Sequence, residues 1–280
     1  MSELPALAIP RASAPRDAGT GSRSLAGRVR KSVKYSLQKA LGARLETVLF
    51  QWRRLSLGAK SLVGKPYAAL YGMDRKLEKY LDFRGGTFIE AGANDGIAQS
   101  NTYFLERHLG WSGLLVEPVP KYYAMCRRAR RARTVNYALG RFEKDGEDLE
   151  ILAGGLMSLP TAVDDRLLHG RSVQEHAAFG AREYGSGVPE LIRTRIRALS
   201  NLLDEVGIRE VDFFSLDVEG FELEVLYGLD FERHRPRYLL IETEQYDEIA
   251  AFLAPWYTLV EALSHHDFLF RSSSDAAPRS

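Results

Sequence analysis

Acidic side chains recur in this chain at the ends of short β-favouring runs. Glu90 closes Thr87-Phe-Ile-Glu90 and leads into the turn Ala91-Gly92-Ala93-Asn94-Asp95-Gly96. Glu117 closes Gly113-Leu-Leu-Val-Glu117 and is stopped by Pro118. Asp217 and Glu219 follow the apolar run Val211–Leu216, and Glu242 and Glu244 follow Tyr238-Leu-Leu-Ile241. In an open α/β sheet, ligands sit outside the carboxyl ends of the strands, so these acids should converge on one site. Carboxylates buried there without partners are costly, so their recurrence asks for a cationic or polyhydroxyl ligand, or a basic partner.

The glycines narrow the ligand. A strand that stops at Gly92 and Gly96 and then opens a helix over Gln99–Leu109 lets backbone approach a ligand and offers free N–H groups to negative charge. Ser100, Asn101 and Thr102 can cap that helix or hydrogen-bond a ligand carboxylate. Glu117 lies near the spacing at which a dinucleotide site places its ribose-binding acid. The fingerprint Gly-x-Gly-x-x-Gly is absent, however. Glu90 and Asp95 would repel a pyrophosphate but suit an ammonium group. S-adenosylmethionine carries an ammonium, a carboxylate and a sulfonium on adenosine, and the electrostatics favour it over a nicotinamide dinucleotide.

The elements needed to position these residues alternate as βαβαβ. A helix is predicted over Lys121–Arg131, and a third strand over Thr134–Tyr137 with its end at Ala138-Leu-Gly140. The stretch Arg141–Gly187 interrupts the pattern. It contains a strand at Leu149–Leu152, a glycine-rich loop at Gly154–Pro160 and a mobile insertion over Ala162–Tyr184 that suits a lid over a polar acceptor. Ile192–Ala198 alternates apolar and basic residues as a half-exposed strand does. Ser200 should cap a helix through Glu205. Glu222 and Glu224 should lie on the solvated face of a helix over Val218–Tyr227, which Asp217 could instead N-cap. A helix over Glu248–Ala254 and strands at Trp256–Leu263 and Asp267–Arg271 complete the pattern.

Several blocks together resemble the FkbM-type methyltransferase family: Phe88–Gly96, Gln99–Thr102, Gly110–Pro118, Asn136–Leu139, Val211–Leu226 and Arg235–Glu242. The likeness spans roughly residues 75–271. It implies a class I methyltransferase (Rossmann-like) α/β fold, a doubly wound, seven-stranded, mostly parallel sheet with an antiparallel last strand. It also implies S-adenosylmethionine as methyl donor and a hydroxyl, on a sugar, glycan or lipid- or carrier-linked metabolite, as acceptor. The cofactor would be held by Glu90, Gly92, Ala93, Asn94, Asp95, Gly96, Ser100, Asn101, Thr102, Glu117, Pro118, Asn136, Ala138 and Asp217.

Methyl transfer is an in-line displacement in which positioning does much of the work, and an alcohol acceptor must lose its proton. Asp217 is the first candidate base, followed by Glu219 and Glu242. The histidines are less persuasive: His169 and His176 fall in the insertion, and His265-His266 near the last strand. None has a metal-binding spacing, so no metal is expected. A non-catalytic binding protein that keeps the fold is the alternative function.

Composition sets the outer bounds. The chain has 280 residues, 45% hydrophobic and 27% charged, an ordinary globular balance. One cysteine, Cys126, excludes an internal disulfide and a Cys-rich zinc site. The net charge of +1 conceals an asymmetry: residues 1–80 hold 16 Lys and Arg against 5 Asp and Glu, and the remainder is acidic. Residues 1–24 read as a disordered tail, residues 25–80 as a basic amphipathic helical extension, residues 81–271 as the methyltransferase domain and residues 272–280 as a second tail. Val29, Val33, Leu37 and Leu41 recur every four residues among basic ones, and further helices are predicted around Leu45–Leu55 and Arg75–Leu81. Residues 25–60 suit peripheral contact with an anionic membrane or packing on the main domain. Nucleic acid is not expected as a partner, because no reader motif is present. A cytoplasmic location, including the inner face of the membrane, is expected. Oligomeric state is not encoded in these patterns.

Overall fold

A computed structural model describes residues 43–168, 170–184 and 187–274. The stripe Val29–Leu41, both predicted tails up to residue 24 and from residue 275, and His169 lie outside the described residues. No described helix is long and apolar enough to cross a membrane.

The described chain opens with helix α1 (Ala43–Val63) and helix α2 (Met73–Leu81). Strand β1 (Thr87–Ala91), helix α3 (Tyr103–Leu109), strand β2 (Ser112–Val116), helix α4 (Pro120–Ala129) and strand β3 (Arg133–Val135) follow. A smaller module then contains β4 (Ala138–Leu139), β5 (Asp148–Ala153), β6 (Leu159–Pro160), helix α5 (Val173–Tyr184) and β7 (Glu190–Arg197). Helix α6 (Leu199–Val206), β8 (Phe213–Leu216), α7 (Glu222–Leu226), β9 (Tyr238–Glu242), α8 (Tyr246–Leu253), β10 (Tyr257–Ala262) and β11 (Asp267–Ser272) complete the chain.

The main sheet is mixed and has seven strands in the order β10-β11-β9-β8-β1-β2-β3. Strand β11 runs antiparallel to both β9 and β10, and the other pairings are parallel. The central strands are apolar along their length because helices cover both faces. Ile89, Leu114, Phe214 and Leu239 pack on one side with α6, α7 and α8. Phe88, Leu115, Phe213 and Leu240 pack on the other with α2 and α3. The chain leaves β1 toward β2 and β3, then returns to build β8 and β9 on the opposite side. That reversal opens a crevice above the tips of β1 and β8.

The insertion departs from what the sequence pattern predicts. Residues 134–140 do not form one strand: β3 belongs to the main sheet, whereas β4 pairs with β7 in a second, four-stranded sheet of order β4-β7-β5-β6. The expected mobile stretch carries helix α5 instead, and Val173 and Ala177 of that helix pack with Leu159, Val163, Leu168 and Phe221. Five buried apolar side chains from α5 and its flanks give the insertion a core of its own. Ser200 does not cap α6; it lies within the helix, and its hydroxyl accepts the Asp230 N–H.

The N-terminal helices are fastened to the crevice. Phe50 and Leu57 of α1 are buried against Ile97 and Tyr103, just beyond the glycine turn. Glu46 of α1 pairs with Lys121 at the start of α4. Helix α2 contributes Met73, Leu77 and Leu81 to the main core, and Lys76 donates to the Leu263 carbonyl at 2.6 Å. The boundary drawn at residue 81 therefore cuts through one packed unit.

Candidate active site

A cavity of about 270 Å³ lies above the carboxyl ends of β1, β2, β8 and β9 and is closed on one side by the insertion. Its floor is the turn after β1. Gly92 has φ 82°, and a Cβ there would lie 1.9 Å from the Asp217 carbonyl oxygen. Only glycine allows the tips of β1 and β8 to come so close. Ala93 is buried, and its N–H donates to the Val116 carbonyl. Asn94 takes the left-handed conformation, φ 46°, and its side-chain amide reaches the Gly155 carbonyl at 3.1 Å. The turn is thus tied to the insertion as well as to the sheet.

Glu117 forms the adjoining wall. It is 4% exposed, and its carboxylate accepts the Asn94 N–H at 2.7 Å and the Val119 N–H at 2.8 Å. Burial pushes its pKa up to about 7 despite those two donors. Each oxygen keeps a second lone pair for a ligand hydroxyl. Pro118 and Ala138 line the cavity beside it. Asn136 does not. Its amide donates to the Glu117 and Pro118 carbonyls, at 2.8 and 2.9 Å, and shapes the bend that aims Glu117.

Glu90 differs from the expected free acid. Its oxygens accept Ser100 Oγ at 2.9 Å, Thr102 Oγ1 at 2.6 Å and the Asn101 N–H at 2.9 Å, and Arg130 approaches at 3.4 Å. Arg130 is fully buried and also binds Glu106, the Gly96 carbonyl and Thr102 Oγ1. The carboxylate is therefore neutralised from inside the protein, although Glu90, Ser100 and Asn101 still line the cavity. This network occupies residues 100–102, and Gln99 takes the left-handed conformation at φ 62°, so α3 starts at Tyr103 rather than Gln99. Thr102 is wholly buried and faces Arg130.

Asp95 and Gly96 also depart from the expected roles. Asp95 Oδ1 accepts the Ile97 and Ala98 N–H groups, and Oδ2 pairs with Arg53 of α1 at 2.7 Å. Its charge stabilises the turn and anchors α1, away from the cavity. Gly96 is required for packing, since a Cβ would stand 2.8 Å from Cys126 Sγ.

The acids after β8 and β9 do assemble. Asp217 is half-buried on the cavity wall, and among the described residues no donor reaches its carboxylate. Burial, and next the charge of Glu242, raises its pKa well above the usual carboxylate range. Glu219 is held at φ 55° and bonds His176 Nε2 of α5 at 2.9 Å. A non-glycine residue in that conformation is strained, and such strain concentrates at functional sites. Glu242 is pushed up to about 8 by burial and then by Asp267. Glu222 is not on a solvated face as expected: it is 1% exposed and accepts the Val218 and Gly220 N–H groups. It, rather than Asp217, holds the turn before α7. Glu224 pairs with Arg141.

The family model for the methyltransferase FkbM domain matches residues 90–270, more than half of the chain. The chain belongs to the FkbM methyltransferase family. A search of curated proteins finds no match. The FkbM match begins at Glu90 and ends within β11, so it takes in every wall of the cavity except the contribution of Leu70, Tyr71 and Met73.

Four side chains at the site of this FkbM chain carry no assigned role in its sequence, His176 having been weighed there only as one of the less persuasive histidines. His176 is 3% exposed and lines the cavity, yet its spacing from Glu219 carries no local signal. Arg130 sits in the middle of the arginine-rich stretch Arg127–Arg133, and nothing in composition separates the buried one from its neighbours. Tyr71 and Tyr184 stand exposed at the cavity rim. The φ of 51° at Tyr71, next to Gly72, is the one feature that a Tyr-Gly pair could have suggested.

Proposed function

We propose that this protein is an S-adenosylmethionine-dependent O-methyltransferase acting on a hydroxyl of a sugar, glycan or lipid- or carrier-linked metabolite. The observation that carries the reading is Glu117 beside Gly92: a buried carboxylate with unused lone pairs, at the tip of the strand next to a turn that only glycine can make. One such carboxylate can accept both vicinal hydroxyls of a ribose. The strand order, with one antiparallel strand next to the edge, fits the class I methyltransferase arrangement. The family favours a catalytic role over a binding role.

Gly92, Ala93 and Asn94 would hold the amino-acid end of the cofactor, with Ser100 and Asn101 opposite, and Glu117 would hold its ribose. When bound, the cofactor supplies an activated methyl on sulfur. The chain itself must orient the acceptor, exclude water and take its proton. Asp217 is the base we propose, because it faces the cavity without a competing donor and burial raises its affinity for a proton. His176 positions Glu219 across the cavity, and the exposed rings of Tyr71 and Tyr184 offer a sugar an apolar rim.

Titration calorimetry with S-adenosylmethionine tests the cofactor reading; no heat of binding removes it. Mass spectrometry after incubation with labelled donor and a cell-envelope extract tests the acceptor class. A labelled product that carries the methyl on nitrogen would remove the O-methylation part.

Where the acceptor is lipid-linked, α1 provides a surface for reaching it. Val48, Trp52 and Leu55 are 61%, 67% and 72% exposed along one side of this helix, which also carries Arg54 and Lys60. We propose that this face meets anionic membrane. Flotation with phosphatidylglycerol vesicles should be lost in Trp52→Glu/Leu55→Glu, and unchanged flotation in that variant refutes the idea.

A further inference from the structure

Three potential metal ligands that are far apart in sequence meet at the edge of the cavity. Strands β9 and β11 pair antiparallel with Asp267 opposite Glu242, and His266 precedes Asp267. One ligand atom from each of Glu242, His266 and Asp267 lies within 4.8 Å of the other two. His266 Nε2 is 3.4 Å from Glu242 Oε1 and 3.5 Å from Asp267 Oδ2. Those separations exceed a good N–H···O bond. They match neighbouring ligands around one cation, since bonds of about 2.1–2.5 Å place ligands at right angles about 3.0–3.5 Å apart.

The other imidazole nitrogen fits the same reading. His266 Nδ1 is 2.7 Å from His265 Nε2. Donation from Nδ1 to His265 leaves the Nε2 lone pair facing two carboxylates. A ligating histidine is characteristically tied through its second nitrogen, most often to a carboxylate, carbonyl or water; here the partner is an imidazole.

An independent observation comes from the neighbouring helix. Glu222, Asp217, Glu242 and His266 line a smaller cavity of about 70 Å³ next to the main one. Glu222 is 1% exposed, and its Oε2 is buried with no hydrogen-bond partner among the described residues. A buried carboxylate oxygen without a donor requires positive charge or a proton to be supplied.

We propose that Glu242, His266 and Asp267 bind one divalent cation of the magnesium–manganese class, with Glu222 and Asp217 lining the adjoining small cavity. Carboxylate oxygens with one imidazole suit such ions, and three protein ligands leave positions open to water or an acceptor oxygen. The proposal departs from the expectation, drawn from sequence spacing, that no metal takes part. A role for the ion in activating an acceptor hydroxyl rests on the methyltransferase reading; binding of the ion does not.

The test uses the full chain, stripped with chelator and titrated with Mn2+ alone, with free Mn2+ followed by electron paramagnetic resonance. Saturable binding of one Mn2+ per chain is expected, weakened by about tenfold or more in Glu242→Gln, which removes a charged ligand. The Glu242 side chain is 46% exposed even though its carboxyl end is crowded by neighbouring acids, and circular dichroism checks that this variant folds. His266→Gln, checked for folding by circular dichroism, should show the same loss. Absence of saturable binding, or wild-type affinity in Glu242→Gln, overturns the site. Calorimetry with S-adenosylmethionine on the same metal-free samples reports separately on the cofactor reading.

Discussion

Gly92 and Asp217 are locked to each other across the β1–β8 crevice: the position of a Gly92 Cβ is only 1.9 Å from the Asp217 carbonyl oxygen. One residue bends the turn proposed to hold the cofactor and the other is the proposed base, so the two halves of the proposed chemistry share one close backbone contact. Gly92→Ala cannot be accommodated by a rotamer change, because the obstacle is backbone and φ is 82°. Calorimetry should detect no binding of S-adenosylmethionine, and urea unfolding should show a loss of about 1–3 kcal/mol. A variant that binds normally would mean the strand tips can separate freely.

Glu117 makes a pH-dependent prediction. Its folded pKa, about 7, is above its ordinary value of 4.5 because burial disfavours the charge. The folded state therefore holds the proton more tightly than the unfolded state. Its contribution to stability is fully present below pH 4.5 and is lost as pH rises toward 7, by about 3 kcal/mol in all. Glu117→Gln should flatten that part of the stability curve in urea titrations between pH 4.5 and 7.5. Cofactor affinity should move oppositely and rise through pH 7 as the carboxylate becomes a full acceptor. Glu117→Ala should weaken binding by about 1–3 kcal/mol at pH 8. Unchanged affinity there removes the ribose role.

Asp217→Asn separates base from binding residue. Once an acceptor is in hand, turnover should fall by about a hundredfold or more while cofactor affinity stays within a few-fold. Equal losses in both measurements would make Asp217 a cofactor ligand instead.

Arg130 is the buried counter-charge of the turn. Arg130→Met should cost about 3–5 kcal/mol by leaving Glu90 and Glu106 buried without it. Arg130→Lys should recover little, since a single ammonium cannot reproduce the forked contacts to Glu106 and Thr102. Denaturant midpoints for the two variants check this.

Truncation distinguishes the N-terminal parts. Removal of residues 1–42 leaves α1 in place and serves as the reference. Removal of residues 1–63 strips Phe50, Leu57 and the Arg53–Asp95 pair from the turn. It should lower the melting temperature and weaken cofactor binding together. Equal stability of the two truncations would show that α1 is dispensable to the site.

Local sequence was sufficient for the pieces that depend on near neighbours. Apolar runs ending in an acid mark β1, β2, β8 and β9, with a glycine or proline close behind in the first three, because buried parallel strands are mostly apolar and must stop abruptly. Gly92, Glu117 and Asp217 were legible for the same reason: turn geometry and strand ends restrict residue type locally. The tertiary structure alone decided which acids remain available. Glu90 and Asp95 look like Glu117 in sequence, yet Arg130 and Arg53, 40 and 42 residues away along the chain, neutralise them. Glu222 was misplaced on a solvated face because helical periodicity cannot reveal a side chain folding back onto its own N-terminal turn. His176 meets Glu219, and His266 meets Glu242, only through packing of α5 and antiparallel pairing of β11. Charge compensation acts through space and not along the chain, so no reading of spacing could have supplied those partners.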